Sequence, residues 1–160
     1  MWISTRINIS FYFGPDPYFW GNSLLMKRLL STSCSDWAFN IGTLVLRLGA
    51  GGLVIAHGYD KLVHFATLRH QFMNFMGIGS STSLTLVIFA EFFCGLLVVL
   101  GLFTRLTAIP IVFSLAVALV KVHNCDVFGA GEKAALYLTC FMVILLCGPG
   151  KGSVDGLINR

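Results

Sequence analysis

Two ionisable side chains stand where this sequence can least tolerate them. Between Leu84 and Phe103 the one charged group is Glu91, and between Phe39 and Ala56 it is Arg47. A charge held at bilayer depth costs roughly 2.5 to 3.5 kcal/mol on insertion scales, so each should face protein or water rather than lipid. Their mid-run positions predict that they meet across neighbouring helices. Two readings stay open. As a buried ion pair they would fix helix register, without necessarily adding net stability. As a polar pocket, Arg47 would orient an anionic or carbonyl oxygen while Glu91 accepts or relays a proton.

Other candidates lie closer to the ends of the apolar runs. His57 and His123 each fall near a membrane edge, and with Lys61 and Glu132 they could line the mouth of such a pocket. A neutral imidazole donates to a carbonyl and titrates near pH 7, which suits a quinone or a proton path. The plainer alternative is an interfacial histidine satisfied locally, and paired axial ligation of a haem is a third. His123-x-Cys125-Asp126 offers three metal-ligand types from one short loop, too weak a pattern to predict a metal site. Cys34, Cys94, Cys125, Cys140 and Cys147 include no CxxC pair, and three of them sit in apolar runs where a thiol packs as a small hydrophobe. Gly148-Pro149-Gly150 reads as a helix stop rather than a phosphate loop, and neither a nucleophile elbow nor a dinucleotide fingerprint occurs.

The elements that must position these residues are membrane helices. With 56 % hydrophobic and 11 % charged residues and a mean hydropathy of +0.82, the 160-residue chain is too apolar for an ordinary soluble domain. Its net charge of +4 is scattered, without the basic stripe of a nucleic-acid binder. A first span is expected from Asp36 or Trp37, capped by Ser35 or Asp36, with Arg47, Gly51, Val54, Gly58 and Lys61 sharing its inward face. After Gly58-Tyr59, the segment to Ser83 is too polar to span. Leu62, Phe65, Leu68, Phe72 and Phe75 set against Lys61, His64, Arg69 and Gln71 predict a short amphipathic helix there. The second span runs to Phe103, the third from Leu106 to about Val120 with Pro110 in or just after its first turn, and the fourth from Glu132 to Leu146.

Residues 1–25 lack helical periodicity and contain Pro15 and Pro17, whereas Met26 opens a membrane-protein-like start; they are expected to be a disordered or mis-start extension to a domain over 26–160. Outside the spans, Arg6, Lys27, Arg28, Arg105, Lys151 and Arg160 lie on the side of the termini, against Lys61, Arg69, Lys121 and Lys133 on the other. Six against four places both termini in the cytoplasm.

Three stretches then carry a family resemblance: LRLGAGGLVIAHGYDKL (46–62), AEFFCGLLVVLGLFTRLTA (90–108), and VKVHNCDVFGAGEKAALYL (120–138) with GPGKGSVDGL (148–157). In order and spacing the chain from Met26 resembles DoxX family membrane proteins, which include relatives of the small subunit of thiosulfate:quinone oxidoreductase. Arg47, His57, Lys61, Glu91, His123, Glu132 and Asp155 stand at family-typical positions. The resemblance implies an all-α four-helix bundle in the bacterial inner membrane. It further implies a subunit that supports quinone-linked redox chemistry beside a partner oxidoreductase. The sequence has no cofactor motif of its own, so the cofactor implied is a bound quinone. The rival expectation is a non-enzymatic scaffold or small transporter.

Overall fold

The computed structural model describes residues 35–158. The expected extension over 1–25 and the start at Met26 lie outside the described residues. What is described is a membrane four-helix bundle, and no strand occurs among these residues.

Helix α1 spans Asp36–Val63, and the Ser35 hydroxyl caps it by accepting the Ala38 N–H at 3.2 Å. Its 28 residues reach about 42 Å. The expected inward face holds: Arg47, Gly51, Val54 and Gly58 are buried and Lys61 is half-buried. The helix does not break at Gly58-Tyr59. Gly58 is a crossing point, where a Cβ would lie 2.6 Å from the Phe92 nitrogen, so its small size serves packing rather than termination. Lys61 stays on α1 as its place on the inward face predicts, and the amphipathic connection shrinks to helix α2 (Phe65–Leu68) and a 3₁₀ turn at Phe75–Gly77.

Helix α3 runs over Ser80–Leu100 and contains a π-helical turn at Phe89–Cys94. Gly101, at φ +75°, ends it in a Schellman arrangement: the Leu102 N–H reaches Leu97 O at 2.9 Å and the Gly101 N–H reaches Val98 O at 3.1 Å. Helix α4 (Thr104–Val122) starts earlier than expected, which puts Pro110 in its second turn, and its last turn, Ala118–Val122, is also π-helical. Helices α1, α3 and α4 are each long and apolar enough to cross a membrane. Helix α5 (Glu132–Cys147) has 16 residues, about 24 Å, and packs on α4 and α1. A short helix α6 (Val154–Ile158) closes the described chain.

The core is made of modest side chains, among them Ala50, Val54, Cys94, Val98, Ala108 and Ile111, with Phe141 as its one large ring. Large apolar residues such as Leu53, Phe89, Ile109 and Leu136 point outward. Water would penalise that surface, whereas lipid chains solvate it. Because lipid is as apolar as leucine, cohesion must come from close fit instead. Glycines supply it: a Cβ on Gly51 would meet Val99 at 2.6 Å, and one on Gly95 would meet Ile55 at 2.9 Å.

Candidate functional site

The same close contacts set the register of α1 against α3. Gly51 lies at Val99, Gly95 at Val54 and Ile55, and Gly58 at Glu91 and Phe92. Arg47, one turn before Gly51, consequently falls beside Val99 and Gly101, far along α3 from Glu91. The expected pairing of Arg47 with Glu91 is not formed. Each of the two charges finds a different partner.

Arg47 is 1 % exposed, and its fork is spent on backbone carbonyls: Nη1 donates to Pro149 O at 2.5 Å, Nη2 to Val99 O at 3.3 Å and to Gly152 O at 3.4 Å. It thus clamps the segment after α5 onto the turn between α3 and α4. Gly101 has to be glycine here, since a Cβ would approach the guanidinium to 2.9 Å and the backbone already has a positive φ. Asp155 completes the clamp. Its carboxylate accepts the Phe103 and Thr104 N–H groups at 2.8 Å each and the Thr104 hydroxyl at 2.9 Å, capping α4 and holding Phe103 at φ +48°. Burial works against the charged form of Asp155, yet the bonds from Thr104 and Phe103 and the Arg47 charge together bring it below the ordinary carboxylate range. This is an architectural site.

Glu91 sits on the π turn of α3 with 9 % of its side chain exposed, and its Oε2 receives Lys61 Nζ in a short ion pair. A π turn inserts an extra residue and commonly marks a functional position. Lys61 keeps 25 % of its side chain accessible, so the pair connects the buried acid to the rim of the bundle. One turn back on the same face of α1, His57 packs edge-on against Tyr137 of α5, with centroids 5.8 Å apart. Lys61–Glu91 and His57–Tyr137 together bring three helices to one polar strip. His123 lies at the start of the α4–α5 loop against Gly131, where a Cβ would approach it to 3.1 Å, and Glu132 is exposed in the first turn of α5. In that loop the Asp126 carboxylate turns back to accept the Ala130 N–H at 3.1 Å.

Tyr137 escaped the sequence reading, which saw Pro149 as a helix stop and not as the acceptor for Arg47, since a lone tyrosine in an apolar run carries no pattern and a carbonyl acceptor is invisible in residue types. A second feature also has no sequence signal. An apolar groove of about 560 Å³ opens between the α2–α3 connection, α3 and α4, with walls that include Phe72, Met73, Phe75, Phe89 and Phe113. Phe75 leans edge-on against Phe113, centroids 6.0 Å apart.

Comparison with known proteins agrees with this architecture. The DoxX family model matches residues 42–124. The chain is 31 % identical over 128 residues to the inner membrane protein YqjF of Escherichia coli (strain K12), covering 76 % of this chain and 95 % of that protein. No solved structure matches it. With apolar helices of membrane-crossing length and both matches in agreement, the chain is an integral membrane protein that belongs to the DoxX family.

Proposed function

We propose that the protein is an inner-membrane subunit that supports quinone-linked electron transfer, with both termini cytoplasmic and a partner oxidoreductase supplying the electrons. The observation that carries this reading is the Lys61–Glu91 pair on a π turn, with His57 and Tyr137 beside it. Reducing a quinone consumes two electrons and two protons. The electrons come from the partner; protons have to cross an apolar region, and Glu91 is the carboxylate that this bundle holds there. The ion pair with Lys61 links that acid to the rim of the bundle, and His57 can donate to a quinone carbonyl. Arg47 has no part in this chemistry, because its two terminal nitrogens are engaged by backbone carbonyls at the other end of the α1–α3 contact, away from Glu91. The chain's own contribution is proton handling and docking, with the quinone as the bound cofactor.

The test uses the purified protein in lipid nanodiscs. A quinone analogue should bind, and Glu91→Gln, which keeps the shape and removes the charge, should leave the fold intact while weakening binding or donor-driven quinone reduction by at least about tenfold, the equivalent of 1.4 kcal/mol. If the wild-type protein binds no analogue and supports no reduction with co-purified partners, the scaffold or transporter reading replaces this one.

A further inference from the structure

The groove between the α2–α3 connection, α3 and α4 has no role in the quinone reading, and its chemistry points to another ligand. Of its lining side chains only Ser83 and Ser114 are polar. The Ser83 hydroxyl is already engaged, donating to Gly79 O at 2.8 Å and accepting the Phe75 N–H at 3.1 Å. A ring with two carbonyls would find little to bind there, whereas a hydrocarbon chain needs no hydrogen-bond partner and gains from every wall. A volume of about 560 Å³ lies in the range of small-molecule sites.

The rim of the groove adds a charge. A hydrogen-bonded turn continues past α2, with the Phe72 N–H on Leu68 O at 2.9 Å, so exposed Arg69 stands three residues before Phe72 of the groove wall. The Arg69 Nε donates to His70 Nε2 at 3.0 Å, and no carboxylate pairs with Arg69 among the described residues. Its terminal nitrogens remain free to form the forked contact that a phosphate accepts.

We propose that this groove is a specific lipid site, in which one acyl chain of an anionic phospholipid lies beneath Phe75 and the phosphate meets Arg69. The Phe75–Phe113 contact then forms the roof over the chain, and the glycines at 77 and 79, both at positive φ, give the connection the backbone freedom to admit it.

The experiment is native mass spectrometry of the full chain released from mild detergent after equilibration with phosphatidylglycerol or phosphatidylcholine of equal chain length. The wild-type protein should retain phosphatidylglycerol, preferring it by roughly tenfold, the 1.4 kcal/mol scale of a single charge-assisted bond. Arg69→Gln should retain both lipids equally. Val87→Trp, which fills the groove from α3, should retain neither, and Val117→Phe does the same from α4 should the first variant fail to fold. Equal retention of the two lipids by the wild-type protein overturns the proposal, as does unchanged retention in the filled variants. Recovery of a quinone in place of phospholipid from the wild-type groove also overturns it, and would extend the proposed function rather than damage it.

Discussion

Lys61 and Glu91 share an ion pair but not its environment. Lys61, near the end of α1, can swing its ammonium towards the membrane surface if its partner is lost, since a long stem lets the charge follow water. Glu91 has no such freedom. Lys61→Met should therefore lower stability by about 3 kcal/mol, because it strands a buried carboxylate without its cation. Glu91→Gln should cost about 1 kcal/mol. Unfolding of the two variants in one detergent series checks the order, and equal losses would mean that the acid is better solvated than its burial implies. That Glu91 must face inward was legible from its solitude in an apolar run. Its partner was not, because partnership depends on the register of two helices, and the register is set by glycine contacts that hydropathy does not rank.

At the scale of elements, the spans were readable because the bilayer imposes their length and composition. Their details were not. Gly58 reads as part of the inward face of the first span, but its role as the point where α1 meets the π turn of α3 shows only in three dimensions. The π turns in α3 and α4 also lie beyond a pattern argument, since a local shift from i−4 to i−5 bonding leaves residue types unchanged. Gly58→Val is expected to push α1 off the π turn, costing on the order of 2 to 3 kcal/mol by overpacking and separating Lys61 from Glu91. Gly52→Val on the same helix, where a Cβ would meet nothing within 4 Å, is the control that should leave melting nearly unchanged. Comparable losses in both variants would refute the crossing.

Across the whole molecule, the segment after α5 is a strap that Arg47 and Asp155 hold against the α3–α4 turn. Arg47→Ala should free that strap to proteolysis and remove about 3 to 5 kcal/mol, since three backbone carbonyls lose a charged donor in a buried place. Resistance of the variant to protease at Gly150–Gly152 would contradict the clamp. Acid should act on the same joint. With its folded pKa depressed, Asp155 contributes stability that is fully present at neutral pH. That contribution is lost as the pH falls below the ordinary carboxylate value and through the lower folded one. Thermal unfolding followed across that window should show less acid sensitivity in Asp155→Asn than in wild type. The sequence marked Asp155 only through the family resemblance, because a cap supplied from about fifty residues downstream follows no local rule.

The unequal reach of the helices bears on the membrane itself. A hydrocarbon layer about 30 Å deep is shorter than the roughly 42 Å of α1 and deeper than the roughly 24 Å of α5. The polar ends of the long helix must lean or stand proud of the layer, whereas the short one is matched by thinner lipid, by flanking side chains that reach the surface, or by association. The described bundle is expected to be most stable where acyl chains are short enough to match α5, which unfolding in bilayers of graded chain length would show.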